Sequence, residues 1–121
     1  MPHRRASAIA SGLRSRFARR PWTSTFVAIA VLATCRYLQR RLGFRLTIVP
    51  VDSYGVVDPD DVRRAIEPGT ALVSVMHANN EVGTVQPIAE LAALAGARGV
   101  PFHTDAVQAA GWLDLDVNEL G

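Results

Sequence analysis

Residues 71–76 read Ala-Leu-Val-Ser-Val-Met, and residues 77–87 follow as His-Ala-Asn-Asn-Glu-Val-Gly-Thr-Val-Gln-Pro. Residues 88–100 continue Ile-Ala-Glu-Leu-Ala-Ala-Leu-Ala-Gly-Ala-Arg-Gly-Val, and residues 101–108 close with Pro-Phe-His-Thr-Asp-Ala-Val-Gln. The first run is apolar and of strand length, and a polar loop leaves it. Pro87 then opens a run with helical spacing, and a second short apolar run ends in Asp105. This order predicts a β-α-β unit with parallel strands and a right-handed crossover. In such sheets ligands sit beyond the carboxyl ends of the strands. His77, Asn79, Asn80 and Glu81 fall there after the first strand; Thr104, Asp105 and Gln108 fall there after the second.

Upstream the same alternation continues. Residues 45–49 form a short strand closed by Pro50, and Asp52-Ser53-Tyr54-Gly55 is turn chemistry. Asp58 is a helix N-cap, Pro59 takes the first helical position, and Asp60 and Asp61 lie where the helix dipole favours acids. Val62, Ala65 and Ile66 then face a core, and residues 67–70 end that helix. In the next helix Ile88, Leu91, Ala92, Leu94 and Ala95 pack inward. Strand and helix alternate throughout, so the fold class is α/β with a parallel-rich sheet and flanking helices. The tail, residues 113–121, begins a new element and stops, which reads as an unfinished domain.

The 121 residues allow at most one domain. Ten of the 13 arginines lie in residues 1–51, which hold no acid, and all 11 acids lie from Asp52 onward. There is one cysteine, Cys35, and no lysine at all. Without lysine, chemistry that needs a side-chain primary amine is closed to these residues. No CxxC or histidine cluster has metal-ligand spacing.

Residues 1–21 are basic, and they read as a disordered or non-homologous N-terminus ahead of a partial domain over 22–121. A transit peptide and a weak nucleic-acid tail compete for the same residues. Residues 19–35 also imitate an export or lipoprotein signal ending at Cys35, although the apolar run is too short to span a bilayer. The rival is a buried helix with Ile29, Leu32, Tyr37 and Leu38 on its apolar face. Its polar side carries Arg36, Gln39, Arg40 and Arg41, and Gly43 stops it. The helix reading agrees better with the cytosolic-type α/β pattern that follows.

Three residues point to a cofactor. A carboxylate at the end of a buried parallel strand needs a partner, and Asp105 could find one in the ring-nitrogen cation of pyridoxal phosphate. Gln108 lies one helical turn on, and Asn80 leaves the neighbouring strand end. Both amides can donate neutral hydrogen bonds to a phenolate oxygen. Two simpler readings stand beside this one. Asp105 could cap a helix from Ala106 onward, or His77, His103 and Asp105 could form a metal site of two histidines and a carboxylate.

Residues 76–87 and 102–111 resemble class V aminotransferase-fold enzymes, in the cysteine desulfurase and selenocysteine lyase branch. Residues 30–38 and 55–60 are similar to the segments that precede these motifs there, so the resemblance covers roughly residues 22–121. It implies part of a large domain of fold type I that binds pyridoxal 5′-phosphate. It implies that Asp105 pairs with the pyridine nitrogen, that Gln108 bonds the phenolic oxygen, and that Asn80 sits beside that oxygen and the substrate carboxylate. It also implies release of sulfur or selenium from cysteine or selenocysteine to leave alanine, for iron–sulfur cluster assembly. A homodimeric, cytoplasmic protein without nucleic-acid or membrane partners goes with it.

The departures matter as much. The family holds its cofactor covalently on a lysine in a Ser-x-His-Lys segment and accepts sulfur on a later cysteine, and neither segment is here. Cys35 does not match that cysteine and reads as a core thiol. Val27-Ala28-Ile29 stands where the family has a ring-stacking histidine, and Ser11-Gly12 is only a faint echo of its glycine-rich phosphate segment. The residues therefore suggest a truncated, inactive fragment with no catalytic residue and no metal site of its own. The alternatives are a small exported or lipid-anchored binding protein using residues 1–35 as a signal, and a non-catalytic partner of an intact homologue.

Overall fold

Apolar runs and caps become four strands and four helices over residues 7–11 and 29–121, the residues that the computed structural model describes. In chain order these are β1 (Ser7–Ser11), α1 (Ile29–Leu42), β2 (Arg45–Val49), α2 (Pro59–Ala65), β3 (Thr70–Met76), α3 (Ile88–Gly96), β4 (Phe102–Asp105) and α4 (Val117–Leu120). The strands form one parallel sheet in the order β2-β1-β3-β4. Helix α1 packs on one face, while α2 and α3 pack on the other.

Alternation along the strands decides which side chains meet which layer. Val49, Val73 and Val75 join Val57, Val62, Ile66, Ile88, Leu91, Ala95 and Val100 in the main core, between the sheet and the α2/α3 layer. Leu46 and Ile48 turn the other way and meet Val31 and Leu32 of α1. Strands covered on both faces read as near-continuous apolar runs, as residues 71–76 do.

The helix starts follow the sequence. The Asp58 carboxylate accepts from the Asp60 amide at 2.8 Å, with Pro59 next in line. Arg63 pairs with Asp60 and Arg64 with Asp61 on the exposed side of α2, and such pairs add little stability. Pro87 opens α3, which buries Ile88, Leu91, Ala92 and Ala95. Leu94 is only partly buried. In α1, Leu32 and Cys35 are buried, but Tyr37 is 56 % exposed, so it does not share the apolar face expected of it. The side chain at 37 follows Cys35 by two positions, about 200° around a helix.

The N-terminus departs from expectation. Ser7–Ser11 form a central strand, paired with β2 from Ser7–Arg45 to Ser11–Val49 and with β3 from Ser7–Thr70 to Ala10–Ser74. Ser-Ala-Ile-Ala-Ser has one β-branched residue and carries almost no strand signal; pairing on both sides makes it a strand. The rest of residues 1–21, and the apolar run up to Ala28, lie outside the described residues. The expected domain boundary at residue 22 falls there too. Cleavage before Cys35, as the export reading requires, would discard β1 and split α1.

Leu91 is fully buried at the centre of the main core. Leu91→Ala is expected to lower unfolding free energy by about 2–5 kcal/mol, measured by chemical denaturation, with Tyr37→Ala near zero as the control.

Candidate cofactor-binding edge

Strands β3 and β4 end together. Met76 lies opposite Asp105, and the His77 amide donates to the Asp105 carbonyl at 2.8 Å as the last rung. The loop leaving β3 and the turn leaving β4 therefore start at one level of the sheet. Asn80 lies in the first, and Gln108 in the second; both are exposed. Asp105 is half-buried between them. The parallel pairing brings all three sequence candidates to one carboxyl edge.

Asp105 does part of what a cap would do. Its Oδ1 accepts from the Val107 amide at 3.1 Å, and the chain then coils through turns, with the Ala109 and Ala110 amides donating to the Ala106 carbonyl. No helix begins there. No described residue donates to the second carboxylate oxygen, which stays available to a cationic donor. One half-buried acid and two neutral amides suit a protonated pyridine nitrogen beside an electron-rich oxygen. The donor set at this edge thus fits the ring of pyridoxal phosphate. It contains no amine to bind that ring covalently.

The loop that carries Asn80 is tightly built. The Asn79 Oδ1 accepts from the amides of Glu81 and Val82 at 2.9 and 3.2 Å. The Asn79 amide donates to the Thr84 carbonyl, and the Gly83 amide donates back to the Asn79 carbonyl, both at 2.9 Å. Gly83 takes φ +74°, a left-handed conformation that a side chain would strain. Asn79 is therefore a turn residue, although its amide stood among the candidates by sequence. Two further residues went unrecognised, Thr84 and Gln86. The Thr84 hydroxyl donates to the Tyr54 carbonyl at 2.6 Å. The Gln86 Nε2 donates to the Gly55 carbonyl at 2.7 Å, and its Oε1 accepts from the Val57 amide at 2.9 Å. These partners lie about thirty residues upstream, where no local pattern points to them.

The histidines separate. Residues 73, 75 and 77 face the α2/α3 layer, whereas Ser74 and His103, which pair in register, face α1. The Ser74 hydroxyl and the His103 Nδ1 are 2.8 Å apart. His77 is 5 % exposed, and burial pushes its pKa below the ordinary 6.5. Its Nδ1 and the Thr104 hydroxyl are buried without a partner among the described residues. His77 thus lies across the sheet from His103 and Asp105, so those three residues do not make a metal site. No group of three or more His, Cys, Asp or Glu among the described residues could hold a metal.

Cys35 is buried beside a groove of about 470 Å³ on the α1 face, lined by Val31, Leu38, Phe44 and Leu72 among others. Burial raises its pKa, so the thiol stays protonated, as the reading of a core thiol expects. The groove is mostly apolar, with Thr34, Ser74 and His103 as its polar lining. Among the described residues no helix is long and apolar enough to cross a membrane.

A parallel sheet with helices on both faces defines an α/β domain, and comparison with known proteins names the family. The sequence pattern described as Aminotransferase class-V matches residues 23–121. The chain belongs to the class-V aminotransferase family, whose members are pyridoxal-phosphate-dependent. It is similar to the cysteine desulfurase IscS of Dictyoglomus turgidum, at 51 % identity over 92 residues, 76 % of this chain and 23 % of that protein. It is also similar to the cysteine desulfurase IscS of Methanosarcina thermophila, at 50 % over 98 residues, 81 % of this chain and 24 % of that protein. Among solved structures, SspA in complex with cysteine superposes with a TM-score of 0.78 at 34 % identity. That match covers 96 % of this chain and 29 % of the other. The chain thus spans about a quarter of the length of the curated relatives it matches.

Burial holds the His77 pKa below its ordinary value of 6.5, so the unfolded chain takes up that proton first. Stability is therefore expected to be full above about pH 6.5 and to fall as the pH drops below it. His77→Gln should flatten that part of the curve, read from denaturant midpoints between pH 5 and 8.

Proposed function

We propose that this chain forms one wall of a pyridoxal 5′-phosphate site of the cysteine desulfurase type. Asp105 would hold the proton on the pyridine nitrogen. Gln108 would donate to the phenolic oxygen, and Asn80 would lie beside that oxygen and the substrate carboxylate. With its ring nitrogen protonated, the cofactor supplies an electron sink for the amino-acid substrate. The reaction of the whole protein would release sulfur from L-cysteine and leave alanine, for iron–sulfur cluster assembly. The observation that carries this reading is the register of Met76 opposite Asp105, which ends β3 and β4 at one level. The residues discriminate poorly between cysteine and selenocysteine, because none of the three contacts the sulfur position in this assignment. A cytoplasmic location and a homodimer belong to the same proposal.

These residues are only part of what such a reaction needs. The 121 residues include no lysine, so the covalent tether must come from other sequence or another polypeptide. Cys35 is buried and protonated, which makes it unfit to receive sulfur. What the chain itself contributes is binding and orientation at the ring.

Equilibrium dialysis against pyridoxal 5′-phosphate tests the assignment. Reversible binding is expected, and Asp105→Asn should weaken it about ten- to a hundredfold, the scale of a lost hydrogen bond to a charged group. Borohydride should fix no cofactor to any side chain, and L-cysteine should yield neither sulfide nor alanine with these residues alone. Unchanged affinity in Asp105→Asn, or a borohydride-stable adduct on a side chain, would overturn the proposal.

A further inference from the structure

Gln86 is an unusual residue for a loop. It is 6 % exposed, its side chain is polar, and both ends of its amide are committed to one stretch of backbone, Gly55 to Val57. That stretch is itself a closed turn. The Asp52 Oδ1 accepts from the amides of Tyr54 and Val56 at 2.8 and 2.9 Å, the Asp52 amide donates to the Val56 carbonyl at 2.9 Å, and the Gly55 amide donates to the Asp52 carbonyl at 3.1 Å. Gly55 takes φ +82° and is buried, so the turn has little freedom to move its carbonyl away from Gln86.

The backbone of Gln86 points the other way along the same path. Its amide donates to the His77 carbonyl at 2.8 Å, and the His77 amide donates to the Asp105 carbonyl at 2.8 Å. Hydrogen bonds therefore run without a break from the 52–57 turn, through Gln86 and His77, to the backbone of Asp105. Asn80 lies on the loop between His77 and Gln86. Thr84 adds a second tie from that loop to the same turn, through the Tyr54 carbonyl.

We propose that Gln86, assisted by Thr84, is a positioning residue that fixes the Asn80 loop against the 52–57 turn and so sets Asn80 relative to Asp105. Neither side chain is assigned to the ligand. Each acts through the loop, and the inference rests on the reading of Asn80 and Asp105 as parts of a pyridoxal-phosphate site. A buried amide suits the task because it donates and accepts at once. The turn offers one carbonyl and one N–H, and any side chain lacking either function leaves a buried backbone group unpaired.

Amide hydrogen exchange on the full chain, with no cofactor present, tests the clamp separately from the cofactor reading. Thr84→Val and Gln86→Glu are the informative variants, because Gln86→Ala would leave two buried backbone groups without partners. In Gln86→Glu the ionised carboxylate still accepts from the Val57 amide but cannot donate to the Gly55 carbonyl. Exchange at residues 79–84 and 55–57 is expected to rise about tenfold, the scale of one lost hydrogen bond. Exchange at Val73, Val75 and Leu91 should be unchanged. Lowering the pH until the new carboxyl is protonated restores a donor, so protection of the loop, corrected for intrinsic rates, should return. The same variants should bind pyridoxal 5′-phosphate several-fold more weakly in dialysis.

Uniform loss of protection across the core and loop, or no change in the loop, would overturn the clamp. So would loosening of the loop with unchanged affinity in a protein whose Asp105→Asn variant does lose affinity. If Asp105→Asn binds normally while the loop loosens as expected, the cofactor reading fails and the clamp's tie to Asn80 and Asp105 as ligands fails with it; the exchange result then stands as loop anchoring alone.

Discussion

The hydrogen bond from the His77 amide to the Asp105 carbonyl closes the ladder between β3 and β4, and the candidate site depends on that closure. Parallel strands space their rungs evenly, so what selects one register is the burial of one face. Val73 and Val75 are buried against the α2/α3 layer, and Leu91 and Ala95 fill the space across from them. A slip of β4 by one residue would carry Asp105 onto that apolar face and turn Phe102 away from the core it packs against. The core thus fixes where the acid emerges, and hydrophobic packing on one side of the sheet determines polar placement at its edge.

The edge also shows a division of labour among polar groups. Asn79 in the loop after β3 uses its side-chain oxygen on nearby backbone amides, as Asp52 does after β2, which builds turns but leaves little for a ligand. Asp105 spends only one oxygen this way. His103 engages Ser74, and His77 is buried toward the core. Among the described residues, the Asn80 and Gln108 amides and the second oxygen of Asp105 are exposed or half-buried and have no hydrogen-bond partner, while the unpartnered His77 Nδ1 and Thr104 hydroxyl are buried. This separation rests on where each group's hydrogen bonds go, and residue type alone would not have made it.

Much of this architecture was legible in the residues. Asp58-Pro59 specified the start of α2, Pro87 that of α3, and the apolar run at 71–76 and the short run ending in Asp105 pointed to strands, because each signal is local. What escaped was non-local. The sequence 7–11 becomes a strand only because β2 and β3 lie on either side of it. Gln86 reads as an ordinary loop residue until its partners at Gly55 and Val57 come into place. Tyr37 was assigned to the buried side of α1 by a short periodic pattern, and it is exposed. The likeness to cysteine desulfurases was carried by two loops whose order and spacing survive in the chain, so the family could be read even where the ligand roles rest on the proposal above.

The position of β1 has a consequence for synthesis. It is made first, yet it lies between β2 and β3, and those two strands share no rungs with each other. When β1 leaves the ribosome neither of its neighbours exists, and it cannot be paired on both sides until Met76 has emerged. Assembly must wait for contacts between distant parts of the chain, which slows folding. Until then the nascent strand edges stay open to incorrect partners, the condition in which chaperones are most needed.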